Sequence, residues 1–250
     1  MPIEVWYYFV SVNITACGQS TWNGTLMHIP DGFLSMPVAA AGYAASAAVL
    51  ALAVKRSGQT LEERQVPLLG VTTAFVFAAQ MLNFPVAMGT SGHFLGAVLA
   101  AVLLGPLNAC LVFAAVLGIQ CLLFADGGLT ALGANVFNMG VIGGMGGYAV
   151  FRVLTSLLPE SRRSFLFAAA LASWFSVVAA SAACAVELAL SGTAPLGMVL
   201  PAMSLVHAFI GIGEALITVA TLSVVLAARP DVVGAWHGVA VPLPVGQTPS

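Results

Sequence analysis

Charge is what this sequence has least of. Only 6% of its 250 residues are Asp, Glu, Lys or Arg, where a soluble domain carries about a quarter to cover its surface. With 60% hydrophobic residues and a mean hydropathy of +1.02, water is not its main solvent. The scarcity of basic residues also excludes a nucleic-acid partner, since no basic cluster interleaves with aromatics. Alternating apolar and polar residues are missing too. The apolar runs are continuous, which excludes a β-barrel and leaves an all-α polytopic membrane bundle. The four cysteines, Cys17, Cys110, Cys121 and Cys184, show no CxxC spacing, and the last three lie in apolar runs as small hydrophobes. No Walker motif occurs: Gly143-Gly144-Met145-Gly146-Gly147 lacks the Lys-Ser/Thr ending, so this chain is not itself an ATPase of that kind.

What is present is a series of apolar runs punctuated by Gly, Pro and charge. They predict seven spans, at about 36–54, 66–84, 90–104, 107–124, 135–157, 164–190 and 204–228. The third is short and is expected to begin as a loop dipping into the protein near His93. With seven spans, all 7 Lys and Arg fall on one side: Lys55, Arg56 and Arg64, then Arg152, Arg162 and Arg163, then Arg229. The positive-inside rule makes that side cytoplasmic, with the amino end outside and the carboxyl end inside. The region before His28, the Thr90–His93 segment, the Asp126-Gly127-Gly128 turn and the loop near Gly192–Pro201 then all face outward.

The first 26 residues fit neither a span nor a secretory signal. Val5–Val12 is too short, and the start carries Glu4 rather than Lys or Arg. The expected division is an upstream extension over 1–26, a membrane domain over 27–230 and a cytoplasmic tail over 231–250.

If translation starts at Met27, the pentad Met27-His28-Ile29-Pro30-Asp31 becomes a chelator. The Met27 amine, the His28 amide nitrogen and the His28 imidazole would close two adjacent rings on one metal ion. His93, in Gly89-Thr90-Ser91-Gly92-His93-Phe94, would supply a fourth nitrogen. An all-nitrogen, roughly square set suits Ni(II), Co(II) or Cu(II). Thr90 and Ser91 are candidates to orient the His93 ring from outside the coordination set. Asp31, after Pro30 and before Gly32, is expected to cap the first helix.

Polar residues inside spans need partners. Gln80 and Asn83 are placed near the outer end of the second helix, and Asn135 and Asn138 open the fifth. All four are expected to hydrogen-bond between helices. Glu187 is expected to reach the interface. Glu214 lies mid-span, two turns from His207 on the same face, and a His207–Glu214 tie is expected. The same two residues would carry the competing reading of an intramembrane metalloenzyme, for which no HExxH helix exists. Small residues at four-residue spacing, Ala40, Ala44 and Ala48, and Gly143 with Gly147, mark helix contacts.

Met27-His28-Ile29-Pro30-Asp31-Gly32-Phe33-Leu34-Ser35 resembles the amino terminus of the CbiM/NikM family. So do Ala79–Val86, Gly89–Phe94, Asp126-Gly127-Gly128, Gly133–Gly140 and His207–Ala215, and the likeness covers about 27–228. The resemblance implies a substrate-capture subunit of an energy-coupling-factor importer for nickel or cobalt, in the plasma membrane of a bacterium or archaeon, serving cobalamin synthesis or nickel enzymes. It implies seven helices, the metal near the outer face, and Met27, His28 and His93 as ligands. It implies partners as well: a transmembrane coupling subunit, a cytoplasmic ATPase dimer and a small auxiliary membrane subunit, with no organic cofactor. The competitor within the same architecture is a metal-independent subunit for a vitamin or other small solute.

Overall fold

The computed structural model describes residues 28–60, 65–81, 83–86 and 90–236, with the strand residues before His93 described by backbone alone. Met27, the 1–26 extension and the end of the tail beyond Trp236 lie outside the described residues.

Seven helical bodies follow in chain order among the described residues: α1 (Met36–Thr60), α2 (Val66–Gln80), α3 (Ala97–Leu104), α4 (Pro106–Phe124), α5 (Leu132–Leu157), α6 (Arg162–Leu190) and α7 (Leu196–Ala228). Five of them, all but α2 and α3, are long and apolar enough to cross a membrane. The outward faces carry bare apolar side chains: Leu123 is 76% exposed and Phe209 69%. Such a surface suits lipid, and internally paired helix backbones are what lipid tolerates. This is a polytopic helical membrane protein.

The third span departs from its expected limits, and Pro85 and the local glycines give the reason. α2 stops at Gln80, and Pro85 keeps the chain from resuming it, since the residue before a proline is pushed toward extended backbone and the proline has no N–H to give. Asn83, expected on α2, instead lies on strand β1 (Asn83–Val86), which pairs antiparallel with β2 (Thr90–His93). The register sets Asn83 opposite His93. Gly96, at φ +75°, turns the chain out of this hairpin into α3, which has only 8 residues. α7 also begins earlier than expected and runs through Pro201, forfeiting one backbone bond near its outer end.

α5 is not a uniform α-helix. Residues Phe137–Gly146 are π-helical, and its glycine face admits close neighbours. A Cβ on Gly147 would stand 2.6 Å from Val98, and one on Gly133 would stand 2.6 Å from the Tyr43 backbone. The glycine spacing therefore serves internal packing, of α3 and α6 on one stretch and of α1 on another. Ala40, Ala44 and Ala48 are exposed on α1.

The apolar core at the end remote from His28 contains edge-to-face pairs of Phe151 with Phe165 and of Phe165 with Trp236, at 5.1 and 4.9 Å. The beginning of the expected tail is part of it, since Gly234 and Ala235 donate to Leu103 and Val102 carbonyls. Arg162 bonds the Ser223 carbonyl at this end, while Thr193 bonds the Phe33 carbonyl at the other. The α6–α7 turn and the His28 segment thus share the end away from Arg162.

Candidate metal centre

Residues 28–35 form a non-helical strap across the end of the bundle, and the sequence explains how it is held. Ile29 is followed by Pro30, so the strap can form no helix of its own, and its backbone polar groups need outside partners. Asn135 supplies two of them. Its Oδ1 accepts the Ile29 N–H at 3.1 Å and its Nδ2 donates to the Ile29 carbonyl at 3.2 Å. The Gly128 N–H donates to the same carbonyl at 2.9 Å. Asn135 therefore clasps the strap rather than another helix.

The Asp126-Gly127-Gly128 turn lies directly on the strap. A Cβ at Gly128 would stand 2.2 Å from the Asp31 nitrogen, and one at Gly127 2.9 Å from the His28 Cβ. Asp31 does not cap α1. Its Oδ1 accepts the Thr130 N–H and hydroxyl at 2.7 and 2.6 Å, because the strap folds back over this turn before reaching α1. These hydrogen bonds hold the Asp31 carboxyl below its usual value.

Two imidazoles come together here. His28 is buried, and its ring centroid is 5.1 Å from that of His93, the planes inclined by 57°. His28 Nδ1 stands 3.3 Å from Asp126 Oδ1, and neither ring nitrogen of His28 has a hydrogen-bond partner among the described residues. His93 Nδ1 is 3.0 Å from the Phe94 carbonyl oxygen. A carbonyl only accepts, so Nδ1 carries the proton and Nε2 keeps its lone pair. Burial, with the His28 ring beside it, pushes the His93 imidazole down from 6.5 to about 4. Both effects favour the neutral form that binds metals.

The segment after His93 is pinned by side chains from two helices, one of them braced by a third. Gln80 donates to the Leu95 carbonyl at 3.0 Å, and Gln120 donates to Gln80 Oε1 at 3.2 Å. Glu214 accepts the Leu95 and Gly96 N–H groups, each at 2.8 Å. The expected Glu214–His207 tie is therefore not made. His207 Nδ1 bonds the Met203 carbonyl of its own helix, at 2.8 Å. The two residues are thus engaged separately.

His28 and His93 open onto a cavity of about 100 Å³ that also reaches Asn138, Cys184, Met203 and His207. Glu187, half-buried near the end of α6, has a helix partner as well. It accepts from Asn138 Nδ2 at 2.7 Å, joining α6 to α5 beside this cavity. Asp126, Gln120 and the Glu187 contact were not expected from the sequence. The available signal for Asp126 was a carboxylate beside two glycines, on the side assigned to His28, in a chain with few charges. The side chains of Asn83, Thr90 and Ser91 lie outside the described residues.

Comparisons with known proteins identify the family and the fold. Residues 28–232 match the CbiM family, described as the cobalt uptake substrate-specific transmembrane region. The chain is 43% identical over 210 residues to a putative fused nickel transport protein of Archaeoglobus fulgidus, covering 83% of this chain and 68% of that protein. It is 40% identical over 209 residues to a putative metal transport protein of Haloquadratum walsbyi, covering 83% and 93%. A crystal structure of a truncated transition metal transporter superposes with a TM-score of 0.73 at 36% identity, covering 80% of this chain and 99% of that one.

Proposed function

This chain belongs to the CbiM family and is a metal-transport component of the cell membrane, and we propose that it captures Ni(II) or Co(II) at the strap end of the bundle, outside the cell. The observation that carries this reading is the approach of the His28 and His93 rings to 5.1 Å at the wall of a mostly apolar cavity. Two imidazoles are too few for a first-row cation, and among the described residues no cluster of three or more His, Cys, Asp or Glu forms. Main-chain nitrogen supplies the remainder: the His28 amide and, in a chain begun at Met27, the terminal amine. Adjacent donors from one dipeptide lose little entropy on binding, and a deprotonated amide demands a late transition metal.

Asp126 supports the reading electrostatically. A carboxylate 3.3 Å from His28 Nδ1 offsets the charge of an incoming dication in a charge-poor site. Nickel and cobalt both accept this nitrogen set.

In this reading the chain is the capture subunit of an ATP-driven importer of the energy-coupling-factor type. A transmembrane coupling subunit and paired ATPases supply the motion, aided by a small auxiliary membrane subunit. Delivery is toward the side bearing the basic residues, for cobalamin synthesis or nickel enzymes. The test is titration of detergent-purified protein begun at Met27 with Ni(II) and Co(II). His28→Ala and His93→Ala are each expected to weaken binding at least ten-fold (about 1.4 kcal/mol). Unchanged affinity in both variants would remove the site and favour a metal-independent solute.

A further inference from the structure

The His93 hairpin enters apolar surroundings without the hydrogen-bond partners a longer sheet would provide. Leu95 and Gly96 precede α3, so their N–H groups have no acceptor within that helix. In a membrane-embedded bundle such groups must be paired by the protein. The acceptor for both is one side chain, Glu214 of α7, more than a hundred residues further along the chain.

We propose that Glu214 is a positioning residue for metal capture, setting where the His93 imidazole stands relative to His28. The path is short. Glu214 fixes the Leu95 and Gly96 nitrogens at 2.8 Å each, and Gln80 fixes the Leu95 carbonyl at 3.0 Å. Leu95, two residues beyond His93, therefore has both backbone polar atoms held by side chains, from α7 and from α2. The intervening Phe94 carbonyl is the atom bonded to His93 Nδ1, so this anchored segment also sets the tilt of the ring. Gln120 on α4 holds Gln80 in turn. The spacing of the two imidazoles thus depends on the packing of α2, α4 and α7. A shift of α7 along its axis is transmitted to His93 without any contact between Glu214 and the metal. The inference rests on the capture reading given above.

The test uses Glu214→Gln, which keeps the shape but sets an amide NH2 against one of two N–H donors, and Glu214→Asp, which keeps the charge one methylene short. Full-chain protein begun at Met27 is titrated with Ni(II), and the visible ligand-field band of the saturated protein is compared with that of wild type and His93→Ala. Both Glu214 variants are expected to bind about ten-fold more weakly or worse, with the band displaced toward that of His93→Ala and with native helicity and gel-filtration behaviour. A native band and affinity in both variants would overturn the proposal, as would failure of both to fold, which marks Glu214 as purely structural. A His93→Ala protein with the wild-type band would instead overturn the capture reading itself.

Discussion

Asn135 holds Ile29 by both of its backbone polar atoms, at 3.1 and 3.2 Å, in the manner of one rung of a β-ladder. Ile29 follows His28 directly, so this pair decides where the His28 backbone lies. An Asp of the same size keeps the acceptor for the N–H but turns a second oxygen toward the Ile29 carbonyl. Asn135→Asp is expected to cost about 1–3 kcal/mol in thermal stability and to lower Ni(II) affinity about ten-fold or more. Calorimetry with parallel metal titration checks both. Wild-type affinity in a destabilised protein would show that the strap is placed by other contacts.

The metal-free protein carries a pH signature of His93. Its imidazole titrates at about 4 rather than 6.5 because burial disfavours the charged ring. Between those values the folded state binds fewer protons than the unfolded state, so stability rises with pH across that window and is lost on acidification through it. Above 6.5 this group contributes no slope. His93→Gln is expected to flatten the dependence of Tm on pH between 4 and 6.5 in chelator-treated protein. An unaltered slope would mean that other groups carry the acid sensitivity.

The helices were legible because lipid leaves a simple trace: each long span is a continuous apolar run, and water-facing punctuation separates it from the next. The short third helix was legible only in part. The expected limits left a gap between 84 and 90 and a loop near His93, but an extended pairing of Asn83 with His93 leaves no periodic pattern in four-residue strands. His28 and His93 could be proposed as partners from chemistry alone, since both were assigned to one side. The partner of Glu214 could not. Its acceptor oxygens meet backbone N–H groups, which every residue but proline possesses, so Leu95 and Gly96 carry no mark of it. His207, at helical spacing from Glu214, was the only partner that sequence could offer. Asp31 fails in the same way: capping of α1 is a local inference, whereas the contact with Thr130 exists only because the strap folds over a distant turn.

Asp126 was placed by the sequence on an outward-facing turn but given no role there. Its Oδ1 is 3.3 Å from His28 Nδ1, the nitrogen that would close a six-membered chelate ring with the His28 amide in the proposed site. Asp126→Asn removes the negative charge with little change of shape. Ni(II) affinity is expected to fall about ten-fold, with a smaller change in the stability of the metal-free protein. Isothermal titration separates the two. Equal affinity for wild type and variant would exclude Asp126 from electrostatic support of the cation.

Among the glycines of the site, Gly128 leaves the least room for a side chain. A Cβ there would stand 2.2 Å from the Asp31 nitrogen and 2.6 Å from the Pro30 carbonyl carbon, both backbone atoms that cannot swing away. Gly127 adds a φ of +91°, which side-chain-bearing residues rarely adopt, and its Cβ would press on His28. Gly128→Ala therefore lifts the strap off the turn and breaks the Gly128 N–H bond to the Ile29 carbonyl. The helices beneath do not depend on that bond. The expected outcome is a folded, membrane-inserted protein that has lost nearly all metal binding, whereas Gly213→Ala, with nothing within 4 Å of the added methyl, binds normally. Proteolysis of residues near His28 in membranes is expected to accelerate in Gly128→Ala and to stay slow in Gly213→Ala. Normal metal binding by Gly128→Ala would mean that the strap need not rest on the turn to present His28.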